Sequence, residues 1–137
     1  MKRFAAWFFS EPEFPSSWRK VIAWWEVRRI SFNVVIGAYG LLCLAVFFWA
    51  IVGSGHLGPG EDAVEPIALL AGPFAVNALY SLGWFAEVIA RALVPDLSRR
   101  FGPTLLKLGL GLGFFFISVP PVYWVGYRAL QLLGVVR

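Results

Sequence analysis

The stretch ISFNVVIGAYGLLCLAVFFWAIV, residues 30–52, carries no charged side chain. A bilayer hydrocarbon core about 30 Å thick is crossed by roughly 20 consecutive apolar residues in a helix, so this run is long enough to span. Backbone amides have no water to bond in that medium, which forces the run to be helical. It is read as the first transmembrane helix. The whole chain agrees: 59% of its residues are hydrophobic, against roughly 45–50% in soluble domains. Its charges are confined to short segments between apolar stretches. The expected class is an all-α membrane protein in one domain, residues 1–137.

Upstream, residues 16–29 place Trp18, Val21, Ile22 and Trp25 at helical spacing, with Phe32 continuing the face. Ser16 or Ser17 is a suitable N-cap. Arg19, Lys20, Arg28 and Arg29, together with Trp18, Trp24 and Trp25, read as headgroup and partner contacts of an amphipathic helix lying in the interface before the first span. Residues 1–15 read as a tail or surface anchor, because the prolines of EPEFP block a continuous helix. The apolar run AAWFF is too short for a cleavable signal.

Downstream, GSGHLGPGEDAVE forms an acidic loop with Glu61, Asp62 and Glu65. A second apolar stretch covers 66–94, with Pro73 expected to kink it. The loop PDLSRRFGP is basic through Arg99 and Arg100, flanked by Arg91 and Lys107. Positive segments favour the cytoplasm, so the amino terminus and this loop are expected inside and the acidic loop outside. The third stretch, 104–127, contains Pro120 and Pro121, followed by an amphipathic end at 128–136. A single kinked span is favoured, giving three spans. Two short spans turning back at the prolines would give four, and the cations Arg128 and Arg137 lean that way.

Polar groups inside apolar spans are the candidate functional residues, since each costs free energy unless paired. Asn77, Tyr80, Trp84, Glu87 and Arg91 recur at steps of three and four and form one helical stripe. Glu87 and Arg91 can pair along the helix. Asn33, Gly37 and Gly40 give the first span a small and polar seam, and Gly109 with Gly113 is a GxxxG pair that permits close helix approach. The bland reading of the stripe is interhelical glue; the sharper one is a proton or ion path lined by Glu87 and Asn77. The lone Cys43 and lone His56 support neither a disulfide nor a metal site, and no cofactor is expected. The +4 net charge lies beside apolar segments and reads as topology and lipid contact rather than nucleic-acid binding.

Two segments, W-W-E-x-R-R-x-x-x-N at Trp24, Trp25, Glu26, Arg28, Arg29 and Asn33, and N-x-x-Y-x-x-G-W-x-x-E at Asn77, Tyr80, Gly83, Trp84 and Glu87, resemble an uncharacterised group of small bacterial multi-pass membrane proteins. The resemblance implies a bacterial inner-membrane setting and brings no activity with it. The expected role is therefore a non-enzymatic structural or accessory unit that self-associates or joins a larger membrane complex. An oligomeric ion or proton channel, or a small-solute transporter, is the alternative. A lipid-acting enzyme is disfavoured, because no paired acids, His cluster or Ser/His arrangement lies near a membrane surface.

Overall fold

The computed structural model describes residues 2–12, 17–55, 66–94 and 96–136. Among them the chain is helical and contains no strand: α1 is Lys2–Phe8, α2 is Trp18–Ser54, α3 is Pro66–Leu93 and α4 is Phe101–Leu132. Two of these, α2 and α4, are long and apolar enough to cross a membrane. At 1.5 Å per residue α2 is roughly 55 Å long, well beyond the hydrocarbon thickness of about 30 Å. Its ends therefore reach past the apolar layer. It stops at Gly55, whose φ of 69° is a left-handed conformation that suits a residue without a β-carbon.

Two expected boundaries are corrected. The amphipathic segment expected over 16–29 and the span 30–52 are joined in one unbroken helix from Trp18 to Ser54, because no glycine or proline interrupts the chain near Arg29. Ser17 occupies the N-cap position, but its hydroxyl makes no capping bond. The last helix also runs past its expected end at 127: Pro120 and Pro121 both lie inside α4, as the favoured single span requires, and α4 continues to Leu132. A membrane helix tolerates the missing amides when neighbours re-satisfy the freed carbonyls. The acidic loop with His56, Glu61, Asp62 and Glu65 lies outside the described residues.

Side-chain pairs fix the directions of the helices. Trp25 meets Glu87, and Arg29 and Asn33 meet Asn77, so α2 and α3 are antiparallel. Tyr39 bonds Ser118 at 2.6 Å, and Gln131 donates to the Ser54 carbonyl at 3.2 Å, so α2 and α4 are parallel. The start of α2, the end of α3 and the start of α4 thus share one end of the bundle. The core sits there, built from Phe8, Val21, Trp25, Phe32, Tyr80 and Leu106.

Residues 2–8 are not a loose tail. Phe8 is 2% exposed, and Arg28, also buried, ties α1 to α2. Its guanidinium donates to the carbonyls of Trp7 at 3.0 Å and Phe8 at 3.0 Å, to Trp24 O at 2.9 Å and to Ser10 Oγ at 2.7 Å. A helix leaves its last carbonyls unpaired and carries partial negative charge there, so a cation is the natural cap. The indoles of Trp7 and Trp24 lie 5.0 and 4.1 Å from the guanidinium carbon and add cation–π attraction. Arg28→Ala should release α1 while leaving the other helices folded. Hydrogen exchange in detergent should speed up at least tenfold in residues 2–10, matching the loss of charged hydrogen bonds at about 1.5–3 kcal/mol each, with no change around Glu87.

Candidate functional site

The carboxylate of Glu87 is the most deeply held polar group of the bundle, at 1% exposure. Three helices converge on it. Its Oε2 accepts the indole N–H of Trp25 from α2 at 2.7 Å. Its Oε1 accepts Nε and Nη2 of Arg91, one turn along α3, at 2.9 and 2.6 Å. The first turn of α4 covers it through Gly102: a β-carbon there would come within 2.9 Å of the carboxyl carbon. Glycine at 102 is therefore a condition of the contact.

Trp25 is placed by the same logic. Its ring packs edge-on to Tyr80, with centroids 5.2 Å apart, and the Tyr80 hydroxyl donates to the Trp25 carbonyl. A β-carbon at Gly83 would approach the ring at 2.8 Å, so the indole lies directly over the α3 backbone. Large aromatic area buried against glycine gives close interhelical contact, which is the main attraction between helices in lipid.

A second polar group lies beside the first. Arg29 forms a bidentate pair with Glu26 at 2.7 and 2.6 Å, then reaches α3 at Ser81 Oγ, 3.0 Å, and Asn77 Oδ1, 3.3 Å. Asn77 Oδ1 also accepts from Asn33 Nδ2 at 3.0 Å, while its amide donates to the Pro73 carbonyl at 3.0 Å. The expected stripe is thus divided. Asn77 faces Arg29 and Asn33, Tyr80 faces Trp25, and Glu87 with Arg91 faces the α2–α4 junction. Trp84 packs on the core with its indole nitrogen buried and without a hydrogen-bond partner among the described residues.

The other expected residues fall as follows. Trp25 and Arg28, read as lipid- or partner-facing, are spent inside the chain. Trp24 donates to the Ser10 carbonyl at 3.1 Å. Trp18 remains exposed with Arg19 over its ring, and Lys20 is exposed. Gly113 meets Ile36 of α2, whereas Gly37, Gly40 and Gly109 have open space where a β-carbon would be. Sequence reasoning missed the Arg28 cap and the far-end contacts of Arg128, which donates to the Trp49 carbonyl at 3.2 Å and stacks on its ring. Only the spacing of Trp24 and Arg28, one helical turn, hinted at the former.

No protein-family model, curated protein or solved structure matches the chain. The chemistry of the site must therefore be read from its geometry. Both Glu87 oxygens are engaged, and no group of His, Cys, Asp or Glu among the described residues could hold a metal. What the arrangement can do is lock three helices together. Glu87→Ala would leave an arginine and an indole unpaired, costing about 3–5 kcal/mol. Glu87→Gln keeps an acceptor for Trp25 and should cost less than half as much. Gly102→Val should match the alanine variant without removing the carboxylate. Denaturation by SDS, followed by circular dichroism, ranks all three.

Proposed function

We propose that the chain is a multi-pass bacterial inner-membrane protein of structural or accessory type, with α2, α3 and α4 as three spans. The bilayer is its first partner. In this reading α1 and the Arg99–Arg100 connection lie on the cytoplasmic side, where cations are favoured, and the end of α4 lies opposite. Helix directions support it: α2 and α4 are parallel and α3 returns between them.

The observation that carries the role is the contrast between a closed polar junction and an open apolar surface. Glu87, Asn77 and Arg29 are paired within the chain, so the polar residues serve assembly of the bundle. Outside it, Ile30, Leu41, Phe74, Phe116 and Val122 are each at least 60% exposed. Apolar patches beyond a few hundred Å² mark interaction or membrane surfaces. Lipid covers some of this area, and in a chain of 137 residues the remainder suits a copy of itself or a larger membrane protein.

The channel reading requires Glu87 to face a water-filled path, and the carboxylate is enclosed by Trp25, Arg91 and Gly102. Gentle purification from native membranes, with native mass measurement, should return a discrete homo-oligomer or a stoichiometric larger partner. A monomer alone, with no crosslinked complex in membranes, would argue against the role. In reconstituted vesicles, Glu87→Gln should leave proton flux unchanged; a tenfold change would favour the channel.

A further inference from the structure

Between α3 and α4 runs a cleft of about 330 Å³ whose floor is the core itself: Trp25, Phe32, Ile36, Tyr80 and Leu106 all line it and are nearly inaccessible. Its rims are the exposed side chains of Leu79, Leu112 and Phe116. The polar atoms of the two floor aromatics are turned away, the indole N–H to Glu87 and the Tyr80 hydroxyl to the Trp25 carbonyl. Nothing polar remains for an occupant to satisfy, which excludes water and polar solutes.

The dimensions choose among apolar occupants. Along α4 the cleft extends from Leu105 to Ile117, about 18 Å at helical rise, close to the half-thickness of about 15 Å of the hydrocarbon core. It begins one turn beyond the Glu87–Gly102 junction and runs towards the middle of the bundle. Because α3 and α4 also touch one another, it is a slot of side-chain depth. A helix about 10 Å across does not enter such a slot, whereas a single hydrocarbon chain does. Gly109 opens onto it with free space where a β-carbon would stand. At the end of the bundle where the slot begins, the α3–α4 connection exposes Arg99 and Arg100, the latter paired with Glu11 at 3.2 Å and still 83% exposed. Those cations complement an anionic headgroup at the level of the interface.

Resting on the membrane reading above, we propose that the α3–α4 cleft is a binding site for one acyl chain of an anionic phospholipid from the leaflet on the α1 side. The chain lies along Gly109 between the exposed side chains of Leu79, Leu112 and Phe116, and the basic connection selects the headgroup.

The test uses the full chain in phosphatidylcholine vesicles containing either phosphatidylglycerol or phosphatidylcholine with a photoactivatable diazirine on the acyl chain. Release of the protein from vesicles by alkaline carbonate would defeat the membrane reading itself, and this site with it. With the protein retained, labelling should concentrate on Leu79, Gly109, Leu112 and Phe116, and phosphatidylglycerol should label at least threefold more than phosphatidylcholine. Gly109→Phe has open space at its β-carbon, places its ring in the slot and should reduce that labelling at least fivefold. Gly111→Phe, two residues on and outside the cleft, should not. Labelling spread evenly over all lipid-facing residues and indifferent to Gly109→Phe overturns the site. Equal labelling by the two lipids overturns the headgroup selection. Crosslinks from cleft residues to a second copy, in place of lipid, overturn the occupant. The wild-type labelling map decides the matter if Gly109→Phe fails to fold.

Discussion

A carboxylate in an apolar bundle is stable only where its charge is met, and the packing of the three long helices follows from how Glu87 satisfies that requirement. Arg91 supplies the opposite charge from the same helix, so α3 carries the pair with it. The remaining lone pairs need a donor from elsewhere, and the indole of Trp25 brings α2 to a fixed depth and rotation. The last side must be closed against solvent, and α4 does this with backbone, at Gly102. Removing any partner leaves a buried charge unmatched, which costs more than the pair contributes when intact. The junction therefore specifies register more than it adds stability.

Arg28 meets the same constraint with different means. Among the described residues no carboxylate pairs with it; carbonyl oxygens at the end of α1 and two indole faces take the place of a counter-ion. Arg28 and Arg29 are neighbours in sequence, yet a step of 100° around the helix sends one to α1 and the other to α3. Together they make the turn after Trp24 a hub from which α1 and α3 are both positioned. The seven residues of α1 are too few to be stable alone in water, so their order comes from this contact.

The apolar runs that announced helices in the sequence did so because hydrocarbon thickness and backbone satisfaction leave few alternatives. Glu87 and Arg91 were legible as a pair because their spacing is one helical turn. Trp25 as the third partner was not, since an interhelical contact 62 positions apart leaves no local pattern. The continuity of α2 across residue 29 was hidden by a change of composition, from basic and aromatic to apolar, that looks like a boundary and yet alters nothing in the backbone. The ligands of Arg28 are main-chain carbonyls, which carry no residue signature at all. Gly83 and Gly102 looked ordinary, while the GxxxG pair drew attention, yet of that pair only Gly113 makes a close approach to another helix of this chain.

Polar contacts are distributed unevenly along the bundle, and the asymmetry has a physical consequence. At the α1 end, indole, guanidinium, carboxylate and amide groups interlock between α2 and α3, and α4 meets them through its backbone at Gly102. Towards the other end, α2 and α4 are joined by the Tyr39–Ser118 bond and by Arg128 and Gln131 on the carbonyls of Trp49 and Ser54. Interhelical hydrogen bonds in lipid contribute only about 0.6–2 kcal/mol each. Beyond Ser118 the side chains of Val122, Tyr123 and Leu130 are exposed, an apolar surface that a neighbour can cover while the register set at Glu87 is preserved.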